Sequence, residues 1–491
     1  MRRMLFCFFL IVTVIIVSSC SSRFRPVVVL VPGNVLYDAE SSWLVDVLRH
    51  EQERMGFDFR DDGSGDIEIE LFSFWEFEDI NDGIVISKTW YVPSSDPLRG
   101  RRNTTLELCV NGQEELISLY DLSPPFTALR VDNLSVDDHN YPLVRMTVIR
   151  FTTNNNNAEK YVQLLEDYFN NIYKSLIDEQ PNVIWVTAAG DMMLGRNAGN
   201  ILLGEGAASL FGKIAPILQD SDVTVANLEG PLSQRGTRAQ KTFTFRFEPP
   251  RELGLSLREA GFDALLFANN HTFDFGMPAF LDTLDYLDEA GIAYLGAGRN
   301  EEEALTPFVF EKEDFTARFW GIASFPRESS GYDGSAHAAE ADKAGMIVAN
   351  RGGAEKLAMR FIDYEDDGIN IVFFHGGVEW SSMPDRATRE LYSELLEKGA
   401  DIIIGTHPHI IQGFEWVDDK LIFWSLGNFV FSGMQNTGGG DEGLLIRFGF
   451  IGRQPIYIEP FVLTLSGPRV DFAEEERLED FYRKSRALSV R

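Results

Sequence analysis

Residues 401–412 read Asp-Ile-Ile-Ile-Gly-Thr-His-Pro-His-Ile-Ile-Gln. Three consecutive isoleucines followed by Gly405 and Pro408 predict a buried strand that breaks into a loop. His407 and His409 lie two apart on that loop. In extended backbone residues i and i+2 share a side, so both imidazoles can face one ion, and histidine is the side chain most often found on transition metals. Two loop histidines can equally be plain surface residues. The other chemistry-bearing residues decide between these readings.

Those residues recur in one setting. An apolar run at 183–188 leads to Gly190-Asp191-Met192-Met193, and one at 223–226 to Asn227-Leu228-Glu229-Gly230-Pro231. The run 264–267 leads to Asn270-His271 and Asp274, the run 371–374 to His375, and the run 422–424 to Ser425-Leu426-Gly427-Asn428-Phe429. Taken singly, each has a plain alternative: Asp191 as a turn cap, Asn270 as a turn residue, Glu229 as a loop carboxylate, His375 as a buried, satisfied histidine. Taken together they gather at equivalent strand ends, and four of the chain's seven histidines are among them.

Carboxylate, imidazole and amide donors suit a borderline divalent ion such as Mn, Fe or Zn. The absence of thiolates in these clusters argues against a structural zinc knot. One ion, or two bridged by a carboxylate, would acidify water and orient a phosphoryl oxygen. Glu229 is the candidate bridge, with Asp191, Asn270, His375, His407 and His409 as the other ligands. His271 is placed to protonate a leaving oxygen, and Asp274, three residues on, to orient its ring.

The elements that must hold these groups follow from the same stretches. Strand, polar turn and helix alternate from residue 183, with helices expected at 277–290 and 386–398, which predicts an α/β sheet with reacting groups at its carboxyl edge. Strands at 444–448 and 456–463 could complete a sheet. A charged amphipathic helix is expected at 473–491, docking through Leu478, Phe481 and Leu488.

The totals leave room for such a core. A chain of 491 residues with 44% apolar and 24% charged content is globular in composition. Its 44 Lys+Arg against 75 Asp+Glu give a formal charge of -31, which argues against nucleic-acid binding. An anionic substrate would need local help from a metal or from arginine.

The N-terminus reads as an address. Arg2 and Arg3 precede an apolar run to Val17 and then Ser18-Ser19-Cys20, a signal-peptide pattern too short to span a bilayer stably. A cysteine after two small residues resembles the bacterial lipobox, which would make Cys20 the lipidated first residue of an extracytoplasmic, membrane-anchored protein. Cys7 and Cys109 complete the cysteines, with no disulfide framework.

Residues 23–180 form a separate small α/β region with no evident catalytic cluster. Strands are expected at 27–31, 67–72, 84–86, 106–110 and 144–151. Helices are expected at 42–55 and just after 154–157, the second with Tyr161, Leu164, Leu165, Tyr168 and Phe169 on its apolar face. Trp90-Tyr91-Val92-Pro93 and 128–132 loosely resemble one lobe of periplasmic substrate-binding domains. The expected order is a signal peptide at 1–22, this domain, a catalytic-type domain at 183–470 and the helix at 471–491.

The ordered motifs Gly190-Asp191-Met192-Met193, Asn227 to Pro231, Asn270-His271 with Asp274-Phe275-Gly276, Gly405-Thr406-His407-Pro408-His409 with Gln412, and Ser425 to Phe429 resemble the CapA family of capsule and poly-gamma-glutamate synthesis proteins. The resemblance implies a calcineurin-like metallophosphoesterase fold, a four-layer α/β/β/α sandwich with metals at one edge. It also implies partners among polymer synthesis or export proteins and an anionic polymer or phosphoester substrate. Two departures stand out. Gly376 occupies the place of a family tryptophan, and Asp191-Met192-Met193 lacks the histidine of catalytic phosphoesterases, so one ion site has one ligand fewer. Three functions follow as expectations: a metal-dependent hydrolase, a non-catalytic scaffold or export subunit, or a binding protein that uses the N-terminal domain.

Overall fold

The computed structural model describes residues 27–31, 49, 58–60, 67–75, 84–96, 103–110, 113–119, 122–173, 180–324, 332–364, 368–434 and 437–489. The leader with Cys20, and the expected helix 42–55 apart from Arg49, lie outside the described residues. Among the described residues no helix is long and apolar enough to cross a membrane.

The chain divides into two compact units, Met1–Thr89 with Leu143–Glu179 and Trp90–Pro142 with Gln180–Arg491. In the first, strand Val27–Val31 pairs in parallel with Asp58–Arg60 and with Ile67–Trp75, which runs antiparallel to Val144–Thr152. Helix Glu159–Tyr173 buries Leu165 and Phe169, the latter 5.5 Å from the Phe151 ring. Leu164, expected on the apolar face, is 47% exposed, so the buried stripe is narrower than the periodicity suggested.

In the second unit, residues 90–142 hold no strand at 106–110. Leu106–Val110 is a short helix, because Thr105 turns the chain there: its hydroxyl accepts from the Leu108 N–H at 3.3 Å and its carbonyl from the Cys109 N–H. A local side-chain bond of this kind offers the backbone an alternative to a ladder. The same segment is fixed to the strand Gln454–Ser466 by an Arg130–Glu459 ion pair and by a Tyr457 hydroxyl that accepts from Val136 N–H at 3.0 Å.

Two large mixed sheets make up the rest. The eight-stranded sheet runs Ala293–Leu295, Ala264–Leu266, Val223–Leu228, Ile184–Met193, Glu442–Ile451, Gln454–Ser466, Arg469–Phe472, with Asn428–Phe431 joined to the end of Ile184–Met193. The first four strands are parallel and the hairpin that follows is antiparallel. The six-stranded sheet has a parallel centre, Phe315–Ser324, Ile369–Gly376, Ile402–Thr406 and Lys420–Leu426, with antiparallel edges.

Strands buried on both faces read as unbroken apolar runs, and that is how both sheets are written. Val186, Ala188 and Val225 from one sheet share a core with Phe319, Ile371, Phe373, Ile404 and Phe423 from the other. The alternate residues Trp320, Val372, Phe374, Ile403 and Trp424 pack instead with Leu357, Tyr392 and Leu395 of helices Gly353–Phe361 and Arg386–Glu397. Helices Pro250–Glu259 and Gly276–Ala290 add Leu253, Leu257, Phe280 and Leu284 to the first core. Helix Glu475–Ser489 docks through Phe481, Tyr482 and Leu488, and its Ser485 hydroxyl accepts from Phe414 N–H at 3.2 Å.

Candidate metal centre

The parallel strands extend further than their apolar runs. Asp191, Asn227 and His375 lie within strands, in their last residues, and Thr406 ends another. Register sets Asp191 beside Asn227 on one side and Asn428 on the other, and His375 beside Thr406. The close packing needs glycine. A Cβ on Gly190 would lie 2.1 Å from Gly427 O, whose carbonyl takes the Asp191 N–H at 2.9 Å.

Two groups of donors meet at this edge. In the first, His375 Nε2 lies 3.0 Å from Asn270 Oδ1 and 3.1 Å from His407 Nδ1. Both distances are those of hydrogen bonds, so His375 joins Asn270 and His407 in one buried polar group. In the second, Glu229 Oε1 lies 3.7 Å from His409 Nε2 and 3.8 Å from His271 Nε2, while Asp191 Oδ2 is 3.3 Å from His409 Nδ1. Asp191, Glu229 and His375 link the groups, with ligand atoms all within 4.8 Å of one another.

His407 and His409 do not reach these groups by strand alternation. Both take left-handed backbone, φ 95° and 57°, about Pro408, and their rings part, His407 toward His375 and His409 toward Glu229 and Asp191. Such strain in a non-glycine residue persists only where its surroundings fix it; here the His407 N–H donates to Asp191 Oδ2 at 3.1 Å.

Charge tells the same story as distance. Asp191, Glu229 and His375 are fully buried. Glu229 Oε1 has no hydrogen-bond partner, an arrangement costly for a carboxylate unless a cation completes it. Burial, then the neighbouring Asp191, push the Glu229 carboxyl well above the usual carboxylate range. Burial works against charge on His409, but Glu229 and Asp191 outweigh it and raise its pKa to about 9. Burial and the charge of His409 hold His407 down at about 3, and burial with His407 and His409 keeps His375 well below the imidazole value. The buried group Asp191, Glu229 and His375 could therefore hold a metal ion, with Asn270, His407 and His409 beside it.

A pH dependence follows. In metal-free protein His409, with its pKa near 9, keeps at neutral pH a proton that a cation must displace. Metal affinity should therefore rise with pH toward 9, about tenfold per unit for each proton released. Calorimetric metal titrations at pH 6, 7 and 8 in buffers of different ionisation heat would show it; an affinity flat over that range would refute it.

Around the donors stand residues that motif reading did not single out. Asn227 Nδ2 lies 2.8 Å from Asp191 Oδ1 and 3.4 Å from Glu229 Oε2, and Asn428 Oδ1 lies 2.9 Å from His409 Nδ1. Both asparagines were visible inside the motifs, but their role as orienting partners needed the register. His271 Nδ1 lies 2.7 Å from Asp274 Oδ2. Asp274 in turn accepts from Lys241 Nζ at 2.8 Å, a buried cation with no motif signal. Burial lowers the His271 pKa against the pull of Asp274, so the resting ring is neutral with Nε2 free to take up a proton. At Gly376 a Cβ would meet Ser324 O at 1.8 Å, so the strand leaves no room for a side chain there. Two aromatics stand beside His409, Trp380 with ring centroids 5.3 Å apart and Phe431 at 5.0 Å.

The chain is 28% identical over 250 residues to the PGA biosynthesis protein CapA of Bacillus subtilis (strain 168), covering 51% of this chain and 64% of that one. It is 29% identical over 250 residues to the capsule biosynthesis protein CapA of Bacillus anthracis, covering 50% and 59%. The match thus spans less than two thirds of either relative's length. A solved phosphatase from Mycoplasma pneumoniae is similar over 59% of this chain and 96% of that one, at 14% identity and a TM-score of 0.38, a level that leaves the fold to be read from this chain's own sheets. The model of the family described as bacterial capsule synthesis protein PGA_cap matches residues 185–433, just over half of the chain and the stretch that carries every candidate ligand, and the chain belongs to that family.

Proposed function

We propose that this chain is an extracytoplasmic protein, anchored by a lipid on Cys20, that serves capsule or poly-gamma-glutamate-type polymer biosynthesis through a metal centre of metallophosphoesterase type. Its two sheets and flanking helices are then the four-layer sandwich of that fold, with one or two Mn, Fe or Zn ions at the edge. The orphaned, buried Glu229 Oε1 among imidazoles carries the reading, because a carboxylate in that setting calls for a cation. A bound divalent ion would act as a Lewis acid toward a phosphoryl or carbonyl oxygen and make water a better nucleophile.

The chain's own residues supply the rest. Asp274 fixes the His271 ring so that Nε2 faces the donor cluster, where it can take a proton and return it to a leaving oxygen. Asn428 fixes the His409 ring. Substrate is a phosphoester or the anionic polymer, and the partners are other polymer synthesis or export proteins.

The test is metal content by elemental analysis of the purified protein, beside hydrolysis of a generic phosphodiester with added Mn. Bound metal with turnover that vanishes in His409→Ala supports a hydrolase; neither metal nor turnover refutes the centre. One observation favours a second reading. Met192 and Met193 are fully buried where catalytic relatives would place a histidine ligand, so a non-catalytic scaffold that holds one ion predicts metal without turnover.

A further inference from the structure

Residues 231–247, Pro-Leu-Ser-Gln-Arg-Gly-Thr-Arg-Ala-Gln-Lys-Thr-Phe-Thr-Phe-Arg-Phe, contain four basic residues and no acidic one, in a chain of net charge -31. Three of the four have carboxylate partners in the structure: Arg235 with Asp282, Lys241 with Asp274 and Arg246 with Glu248. Arg238 has none among the described residues. It is exposed, and its Nε donates to Thr244 Oγ1 at 2.8 Å. Arg196 is likewise exposed without a carboxylate; it donates to Ser432 O at 2.7 Å and lies 5.5 Å over the Phe245 ring.

Both unpaired guanidiniums line one cleft of about 240 Å³, with Arg246, Thr242 and Thr244. Phe243, 62% exposed, is on its wall. Phe245 is shared with the metal centre: its ring lies 4.3 Å from that of His271 and its N–H donates to Asp274. The cleft therefore opens beside the proton-carrying edge of the centre.

We propose that this cleft binds an oxyanion of the substrate, a carboxylate or a phosphate, through Arg196 and Arg238. A planar guanidinium matches either group, and the threonine hydroxyls and the exposed phenyl suit an oxyanion carried on a partly apolar chain. The volume fits one charged group and its neighbouring atoms. In so acidic a molecule an anion is repelled from most of the surface, so these arginines decide where it lands. The proposal rests on the reading of the neighbouring centre only for the direction in which the bound substrate runs.

The test is calorimetric binding of tetraglutamate and of inorganic phosphate to the full-length protein as purified, and to Arg196→Gln/Arg238→Gln. A control, Arg386→Gln/Arg483→Gln, makes the same charge change elsewhere. Bound metal is measured in all three. The expected result is that one probe binds and weakens about tenfold or more in the cleft variant, with control affinity and metal content unchanged. Tetraglutamate as that probe identifies a carboxylate ligand; phosphate identifies a phosphoester. Equal affinities in cleft variant and parent, or binding of neither probe, would overturn it. A chain that holds no metal yet shows the arginine-dependent binding removes the metal-centre reading and leaves the cleft standing.

Discussion

Glu229→Gln should strip the centre of metal and make the metal-free protein more stable. The two effects have one cause. Glu229 is fully buried within 4.8 Å of Asp191 and has one oxygen without a partner. A folded-state pKa raised above its unfolded value means that, above about pH 4, ionising this acid opposes folding, and the penalty grows until the folded pKa is reached. Glutamine resembles the protonated form and removes that penalty, about 1–3 kcal/mol. It also removes the shared anion. Losing one partner of a buried charge pair costs about 3–5 kcal/mol, or roughly a thousandfold in metal affinity. Elemental analysis and thermal melts in chelator, beside wild type, would read both. A variant that keeps its metal at parental affinity would show that Glu229 is no ligand.

The second large effect is expected at a residue that touches no donor atom. Lys241 and Asp274 form an ion pair with side chains 1% and 0% exposed, and Lys241 also donates to Asn270 O at 2.6 Å. Lys241→Met leaves a buried carboxylate without its cation and should cost about 3–5 kcal/mol of stability. The double change Lys241→Met/Asp274→Asn should recover much of it, because no charge is then stranded. Lys241 also holds the His271 pKa down, so the single variant should raise it, which ring-proton NMR across a pH series would follow in metal-free protein. Equal stability of Lys241→Met and parent would show that the pair does not exist in solution.

Strand content and the polar groups gathered at the carboxyl edge were largely legible in the chain, for a simple reason. Strands buried on both faces must be unbroken apolar runs, and the residues that follow them at a carboxyl edge announce themselves by polarity. What polarity hides is where a strand stops. Asp191, Asn227 and His375 read as lying just past the strand ends, yet they remain in the ladder because the neighbouring strand is there to pair with them. Leu106–Val110 shows the opposite error, an apolar run turned into a helix by the Thr105 hydroxyl. Asn227 and Asn428 could not be told from turn asparagines until register set them on either side of Asp191. Lys241 lies in a stretch without periodicity, where nothing local marks a lysine as buried.

The His407 N–H bonds the Asp191 carboxylate across a separation of 216 positions. A contact closed over so long a loop is a poor nucleus for folding, since the entropy of closure precedes any reward from the contact. Both sheets must be assembled before the donors meet. An ion held there would therefore lock the finished molecule rather than guide its formation, and metal retention would mark a chain whose two sheets have come together.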